Sequence, residues 1–365
     1  MAADRSDGPG RRYAGAVIVR RLRQYAFRNL TVPEVAFDPG VTAIVGPNAA
    51  GKSNLLDACY LAASADLPTG PVRDALRFGE PEGFVAAEIE NRHGVVRIHV
   101  GLAVGRKALE VDGQKARTAD VARVAAAVRI TPEDAELIHG GPTGRRGWMD
   151  ALLTRLSPRY GALTRAYGKV LEQRNAALRH GADGATTAAF GDRLAALGDE
   201  MVDLRRRLIA RAGELARDAY RDVAGPDKEF SVRYAPSQGE RALAEALAAS
   251  EPEERARGVT VVGPHRDDLL TELDARSVQT YGSRGEARTA ALALRVAEHR
   301  LLHDVHEEPP VLLLDDFSAE LDVDRRAFLL DLAENAPQAL VTGTEPPPRS
   351  ARVLRISAGE VRDDG

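Results

Sequence analysis

The residues best able to do chemistry sit in GPNAAGKSNLLDACYLAA, residues 46–63. Gly46 and Gly51 bracket four residues ahead of Lys52 and Ser53, the spacing G-x-x-x-x-G-K-[ST] in which backbone N–H groups wrap a polyphosphate. The lysine then reaches the β- and γ-phosphates, the serine hydroxyl holds Mg2+, and the helix starting near Gly51 points its positive end at the anion. Gly46, Pro47, Asn48, Ala49, Ala50, Gly51, Lys52, Ser53 and Asn54 are therefore the expected nucleotide contacts, with Lys52 exposed in the loop. Only the two bracketing glycines are demanded by the spacing. Asn48, Ala49 and Ala50 replace the extra glycines that many such loops carry.

A second stretch with chemical potential lies far along the chain. Val311 to Leu314 is wholly apolar and runs into Asp315 and Asp316, the pattern of a buried strand that delivers one carboxylate to Mg2+ and a second toward the attacking water. Asp315 is thus expected beside Ser53 as a metal ligand, and Asp316 is expected to join Lys52 in catalysis. Aspartate is one methylene shorter than glutamate, so a base at Asp316 has looser geometry and hydrolysis should be slow. Between the two stretches, YGSRGEARTAALALRVAE places Ser283 and Gly285 before a long apolar helix. A hydroxyl and a glycine at a helix start make either a cap or a second anion site.

The elements that must position these groups follow from periodicity. VTAIV, ahead of the loop, is short and β-branched, as a buried strand should be, and the segment after it has apolar residues at helical spacing. Residues 84–116 read as strands with turns at 91–94, near Gly105 and at Asp112-Gly113. Leu156, Tyr160, Leu163, Tyr167 and Val170 then step by four and three, and after HGADG the pattern resumes at Phe190, Leu194, Leu197, Met201, Leu204 and Leu208. That is a helical hairpin with heptad-like seams. Its second helix should run for about 38 residues, roughly 57 Å, although Gly191 and Gly198 argue against an unbroken one. From Gly258 onward VTVVG, LLTEL, VLLLDD, QALVTG and VLRI read as strands.

Composition sets the outer limits. A chain of 365 residues with 44% hydrophobic content can hold two domains. The single cysteine excludes a disulfide framework, and Cys59 reads as a small buried hydrophobe. No apolar run approaches the ~20 residues needed to span a membrane, and the first ten residues lack a signal-peptide core, so a cytoplasmic protein without a membrane partner is expected. Net charge is −4, but Arg11, Arg12, Arg20, Arg21, Arg23 and Arg28 fall in a run without an acid. The run fits local phosphate binding and fits an arginine-rich composition equally. Aromatics are only 5% of residues, so a stacking platform for single strands is not expected.

The order GPNAAGKS, SRGEARTAALALRVAE, LLLDDFSAELD resembles the SMC-like branch of ATP-binding-cassette (ABC) ATPases. With NLLDACYLAAS, TPEDAELIHGGPTGRRGWMD and VVGPHRDDL, the chain looks similar to the RecF family of bacterial recombination mediators, from FRN at 27–29 to TGT at 342–344. The resemblance implies an α/β, ABC-type ATPase head with a phosphate loop, interrupted by a helical arm: head 1–130, arm 131–257, head again 258–365. It implies ATP with Mg2+, an ATP-dependent homodimer, and a signature of Ser283, Arg284, Gly285 and Glu286 that meets the nucleotide of the partner subunit, with Ser318 and Asp322 in a dimer loop. It further implies weak DNA-dependent ATPase activity acting as a switch in DNA replication, recombination, repair and the SOS response. The dimer would bind double-stranded or gapped DNA, with the arginines from Arg11 to Arg28 contributing phosphate contacts, and work with RecR and RecO to load RecA. The runner-up is an ABC-type subunit of another DNA-organising or transport complex, which the short arm and GPHRDDL argue against.

Several positions depart from the family pattern, which has Gly-Gln or Gly-Ser at Ala49-Ala50 and glutamines at Arg284 and Glu286. Transporter cassettes carry a histidine where this chain has VTGTEP, with Thr342 and Thr344. In GPHRDDL, no second histidine or cysteine stands at ligand spacing from His265. A structural role joining arm to head is expected there, with Asp267 and Asp268 pairing with arginines.

Overall fold

The turns at 91–94, Gly105 and Asp112-Gly113 each close a hairpin. Asn91 pairs with Gly94, Ala103 with Arg106, and Val111 with Gln114. Asp112 and Gly113 both have positive φ, 49° and 76°, the backbone of a two-residue turn whose twist matches the strands it joins. These hairpins extend a six-stranded antiparallel sheet that includes Ile18–Tyr25 and Glu82–Asn91. A computed structural model describes residues 15–67, 70–316 and 322–364.

A second six-stranded sheet is mostly parallel. Gly40–Val45, which leads into the phosphate loop, lies between Gln338–Gly343 and Arg352–Ser357, and Val311–Leu314 lies between Gln338–Gly343 and Ala127–Ile130. Parallel strands covered on both faces read as unbroken apolar runs, and VLLL and QALVTG are buried throughout. The helix Lys52–Ser64 is buried from Leu55 to Ser64 and shares one core with residues of both sheets, among them Val85, Ile98, Ile44 and Leu313. A helix buried all round needs apolar residues all round. Cys59 is one of them; burial pushes its thiol pKa up, so it packs and does not react.

The chain divides into two units, residues 1–133 with 298–365, and residues 134–297. The boundary differs from the one expected at 257. GPHRDDL and the signature belong to the second unit because Asp268–Leu273 pairs with Phe230–Ala235 in a separate three-stranded sheet. VTVVG is also not a strand. Thr260 is held by side chains instead, its N–H donating to Asn175 Oδ1 at 2.8 Å and its Oγ1 accepting from Arg174 at 2.8 Å.

Within this unit the helical hairpin is Pro158–Arg179 and Gly184–Ala224. The second helix runs unbroken for 41 residues. Gly198 does not break it because a Cβ there would lie 2.3 Å from Leu243 Cδ2; the glycine admits a neighbouring helix. The loop 264–268 is fastened inside this same unit. His265 Nδ1 lies 2.8 Å from Tyr167 Oη and Nε2 lies 3.0 Å from the Thr260 carbonyl. Burial holds the imidazole pKa down. Buried Asp267 accepts from Tyr234, from Arg205 and from Ser237 N–H, and Asp268 accepts two bonds from Arg145 at 2.6 and 2.9 Å. The expected arginine pairing is present, and the histidine is a framework residue: Tyr167 and Thr260, which hold it, both lie in the second unit.

Candidate nucleotide site

Gly46 and Gly51 are glycines for separate steric reasons. A Cβ on Gly46 would lie 2.1 Å from the Ile356 carbonyl, whereas Gly51 has φ 110° and faces Asn29 Oδ1. Ala49 also takes a left-handed φ, 62°, so the loop bends where other loops use glycine. The helix Lys52–Ser64 then starts with no side chain capping it and no acid in its first turn, which leaves its leading N–H groups directed at a ligand.

Lys52 is 8% exposed, against the exposed position expected. Its Nζ donates to the carbonyls of Gly46 at 2.8 Å and Pro47 at 3.0 Å, so the ammonium is centred in the loop. A pocket of 410 Å3 opens over it, lined by Asn29, Asn48, Ala49, Gly51 to Asn54, Asp315 and Asp316.

The two distant stretches meet here. Ser53 Oγ donates to Asp315 Oδ1 at 2.9 Å, and Thr342 Oγ1 donates to the same oxygen at 2.7 Å. Thr342 also accepts the Asp316 N–H at 2.8 Å. Two oxygens on adjacent vertices of an octahedron around Mg2+, each at 2.0–2.1 Å, stand about 2.9 Å apart. The Ser53–Asp315 pair fits such an ion. Asp316 lines the pocket with a left-handed backbone, φ 50°; backbone strain of this kind concentrates at functional sites.

Sequence reasoning missed three supports. Asn29 donates to the Ala49 carbonyl at 3.3 Å and accepts from Asn54 at 2.7 Å, bracing the loop from the side. Its signal is FRN, the stretch at which the family resemblance starts. Thr342 stands in VTGTEP, and no local pattern shows that its hydroxyl bonds the Asp315 carboxylate and the Asp316 backbone N–H. Asp57 is buried between Arg28 and Arg129; burial raises its pKa against the pull of both guanidiniums. No motif announces that cluster, because its members come from three separate elements.

The remaining expected residues lie elsewhere. Ser283 and Glu286 form a reciprocal cap on the helix Arg284–His306. Glu286 accepts from Ser283 N–H and Oγ, each at 2.9 Å, and Ser283 Oγ accepts the Glu286 N–H at 3.2 Å. Those bonds hold the Glu286 carboxyl below its usual pKa. Arg284 is exposed beside them. Asp322 caps the helix Val323–Asn335 through the Arg325 N–H at 2.9 Å. Ser318, Arg11 and Arg12 lie outside the described residues.

The acid-free arginine run is matched by acids across the sheet. Arg20 pairs with Glu90 at 2.6 Å, Arg21 with Glu34 and with Glu88 at 3.6 Å, and Arg23 with Glu34 at 2.7 Å. Arg28 is enclosed with Asp57, so its charge serves the loop's foundation and it is not an edge residue. A run read in one dimension omits cross-strand neighbours.

A model of the RecF/RecN/SMC N terminal domain family matches residues 18–347. The DNA replication and repair protein RecF of Deinococcus radiodurans is 46% identical over 345 residues, covering 94% of this chain and 95% of that protein. RecF of Synechocystis sp. is 35% identical over 94% of this chain and 98% of its own length. Among solved structures, the recombination mediator protein RecF with ATP, of the RecFOR pathway, superposes with TM-score 0.90 at 27% identity, covering 97% of this chain and 99% of that one. An Smc head domain from Pyrococcus furiosus matches at TM-score 0.53 and 14% identity, a likeness of fold. No helix among the described residues is long and apolar enough to cross a membrane.

Proposed function

The chain belongs to the RecF family of SMC-like ATPases, and from that premise we propose that it is an ATP-dependent mediator of DNA repair whose ATP-bound form is a homodimer closed on DNA. The observation that carries the reading is the 2.9 Å bond from Ser53 to Asp315, which joins the phosphate loop to the acidic strand across 262 positions of sequence. A glycine loop serving only as a turn has no need of that partner.

In this mechanism the N–H groups of the loop and the start of the helix Lys52–Ser64 hold the phosphates. Lys52 exchanges its two carbonyl partners for phosphate oxygens, so its charge is already in position when ATP enters. Mg2+ bound by Ser53 and Asp315 would neutralise charge developing on the phosphates. Asp316, whose backbone N–H is held by Thr342, accepts the proton of the attacking water. The γ-phosphate is completed by Ser283 of the partner subunit, so ATP binds the dimer better than the monomer and shifts the equilibrium toward it. Hydrolysis removes that contact and reopens the pair, the behaviour of a weak ATPase used as a switch.

The closed pair would bind double-stranded or gapped DNA, with RecR, RecO and RecA acting downstream. Arg21 and Arg23 retain 47% and 67% side-chain exposure despite their partners, and they can exchange glutamate for phosphate; Arg28 is not offered for this role. The test is sedimentation with and without ATP, then with gapped DNA. A dimer that forms only with ATP and binds DNA more tightly supports the reading. Identical sedimentation with and without ATP overturns it.

A further inference from the structure

The outer face of the antiparallel sheet carries a row of rings that composition did not announce. Tyr25 pairs with Phe84 across neighbouring strands, their ring centroids 6.3 Å apart and planes 26° apart. Phe84 stacks in turn on His99 of the next strand at 5.2 Å and 29°. Small residues leave the row open: Gly101 stands opposite Phe84, and Ala86 opposite His99. A hollow of 250 Å3 lies over these rings, with Arg106 and Glu82 among its lining residues.

One end of the row is uncovered. The edge strand Glu34–Ala36 makes its last register pair at Arg23, and the backbone bonding ends with Gln24 N–H on the Pro33 carbonyl at 3.0 Å, so among the described residues no strand pairs with the outer side of Tyr25, which is 51% exposed. The segment 76–80 approaches the same end. Phe27 bridges Leu76 in antiparallel sense, and Arg77 N–H donates to the Ala26 carbonyl at 2.8 Å. Beyond Arg77 the chain leaves that register and turns. Phe78 is fully exposed at the tip of a turn closed by Glu80 N–H on the Arg77 carbonyl at 3.0 Å, with Gly79 at φ 88°. The Arg77 guanidinium fastens that turn to the carbonyls of Arg28 and Leu30. A phenylalanine held out by a fastened turn keeps its ring in water in the free protein, a cost that a ligand with a flat apolar face removes.

The geometry points to a stacking site for unpaired nucleobases, in which a base at the border of a gap continues the Phe84–Tyr25 row and Phe78 lies against the adjoining step. This rests on the DNA-binding reading above and adds to it a means of telling gapped from intact duplex. Bases suit the strip because every base presents a π-face, and because inserted phenylalanines lodge at opened base steps. Glu82 offsets Arg106 at the rim, so stacking and not phosphate contact must supply the binding. The contribution should therefore be nearly independent of salt, unlike contacts that release counterions.

The test uses the full chain with ATP and two DNAs of equal length, one an intact duplex and one gapped, with 2-aminopurine as the first unpaired base. In the wild type the probe's fluorescence should be quenched. Tyr25→Ala and Phe78→Ala should each weaken gapped-DNA binding by roughly tenfold or more, the usual loss for removing one stacking ring, and abolish the quench. Neither should change duplex binding, the ATP-induced dimer or the melting temperature, and Tyr25→Phe should behave as wild type. The loss should be the same at low and high salt. If Tyr25→Ala and Phe78→Ala bind gapped DNA as tightly as wild type, or lose affinity equally for intact duplex, the stacking site is wrong while DNA binding stands. A wild-type protein that binds neither DNA overturns both readings.

Discussion

The helices Lys52–Ser64 and Arg284–His306 both begin at turns with glycine and a hydroxyl residue, yet their first turns are finished in opposite ways. The first has Gly51 at its cap position, no side-chain cap and no acid in its first turn. The second has its leading groups taken by Ser283 and Glu286, a neutralising carboxylate included. An uncapped start keeps its N–H groups for a ligand, whereas a capped start is stable alone and must give up bonds to receive one. Under the proposed dimer the difference would order events: phosphate would be taken up first at the open end, within one subunit, and the capped end would engage later, when a second subunit offers a phosphate able to compete with Glu286.

The strongest way to break this comparison is to disable the open end. Lys52→Met removes the charge centred in the loop, and the expected result is complete loss of ATP-dependent dimerisation by sedimentation. The chain should remain folded, because among the described residues Lys52 bonds only to carbonyls of its own loop. An ATP-induced dimer that persists in this variant refutes the assignment of the loop. Ser283→Arg attacks the other end and should be selective: nucleotide affinity of the monomer unchanged, dimerisation lost. Removing the cap should also cost about 1 kcal/mol of stability. A variant that still dimerises with ATP would leave Ser283 a cap and nothing more.

The open end was largely legible in sequence and the capped end only half so. A phosphate loop is local: Gly46, Gly51, Lys52 and Ser53 act through adjacent backbone, so spacing alone identifies them. The aspartates were legible because a buried strand followed by two acids is also a local pattern. Thr342, Asn29 and the pairing of Arg28 and Arg129 on Asp57 depend on which strands lie side by side, and no local pattern carries that. The same holds for the aromatic row, since a composition of 5% states how many rings exist and not that Tyr25, Phe84 and His99 share one face. For Ser283 both roles were open. The structure establishes the cap, and the partner-facing role stays with the dimer proposal.

A milder perturbation reads the capped end through pH. Hydrogen bonds from Ser283 lower the Glu286 pKa below its ordinary value. A carboxyl depressed in the folded state contributes stability that is present above the unfolded pKa and is lost as pH falls through the folded one. Glu286→Gln should therefore flatten the acid side of the stability profile, below about pH 4.5, and leave neutral stability little changed, since glutamine can also close such a cap. It should also tighten ATP-dependent dimerisation, because the displaced group is no longer an anion. Unchanged acid sensitivity, measured by urea unfolding at several pH values, would mean that Glu286 is not the titrating group.

The smallest expected effect comes from Ala49 and tests whether the open end is held under strain. At φ 62° an L-residue costs roughly 1–2 kcal/mol over its right-handed conformation, and the alanine methyl is exposed, so no packing offsets it. Glycine relieves that strain but adds about 0.5–1 kcal/mol of chain entropy to be lost on folding. Ala49→Gly should thus stabilise by several tenths of a kcal/mol to about 1 kcal/mol, a rise in melting temperature of at most about 2–4 °C. Ala50 supplies the control. It is buried and is not among the residues with positive φ, so Ala50→Gly adds the same entropy with no relief and should destabilise. No residue from Ser283 to Glu286 has positive φ either, so glycine at Arg284 should behave like Ala50→Gly. If Ala49→Gly and Ala50→Gly destabilise alike, the loop bend carries no strain, and the contrast between the two helix starts reduces to the presence or absence of a cap.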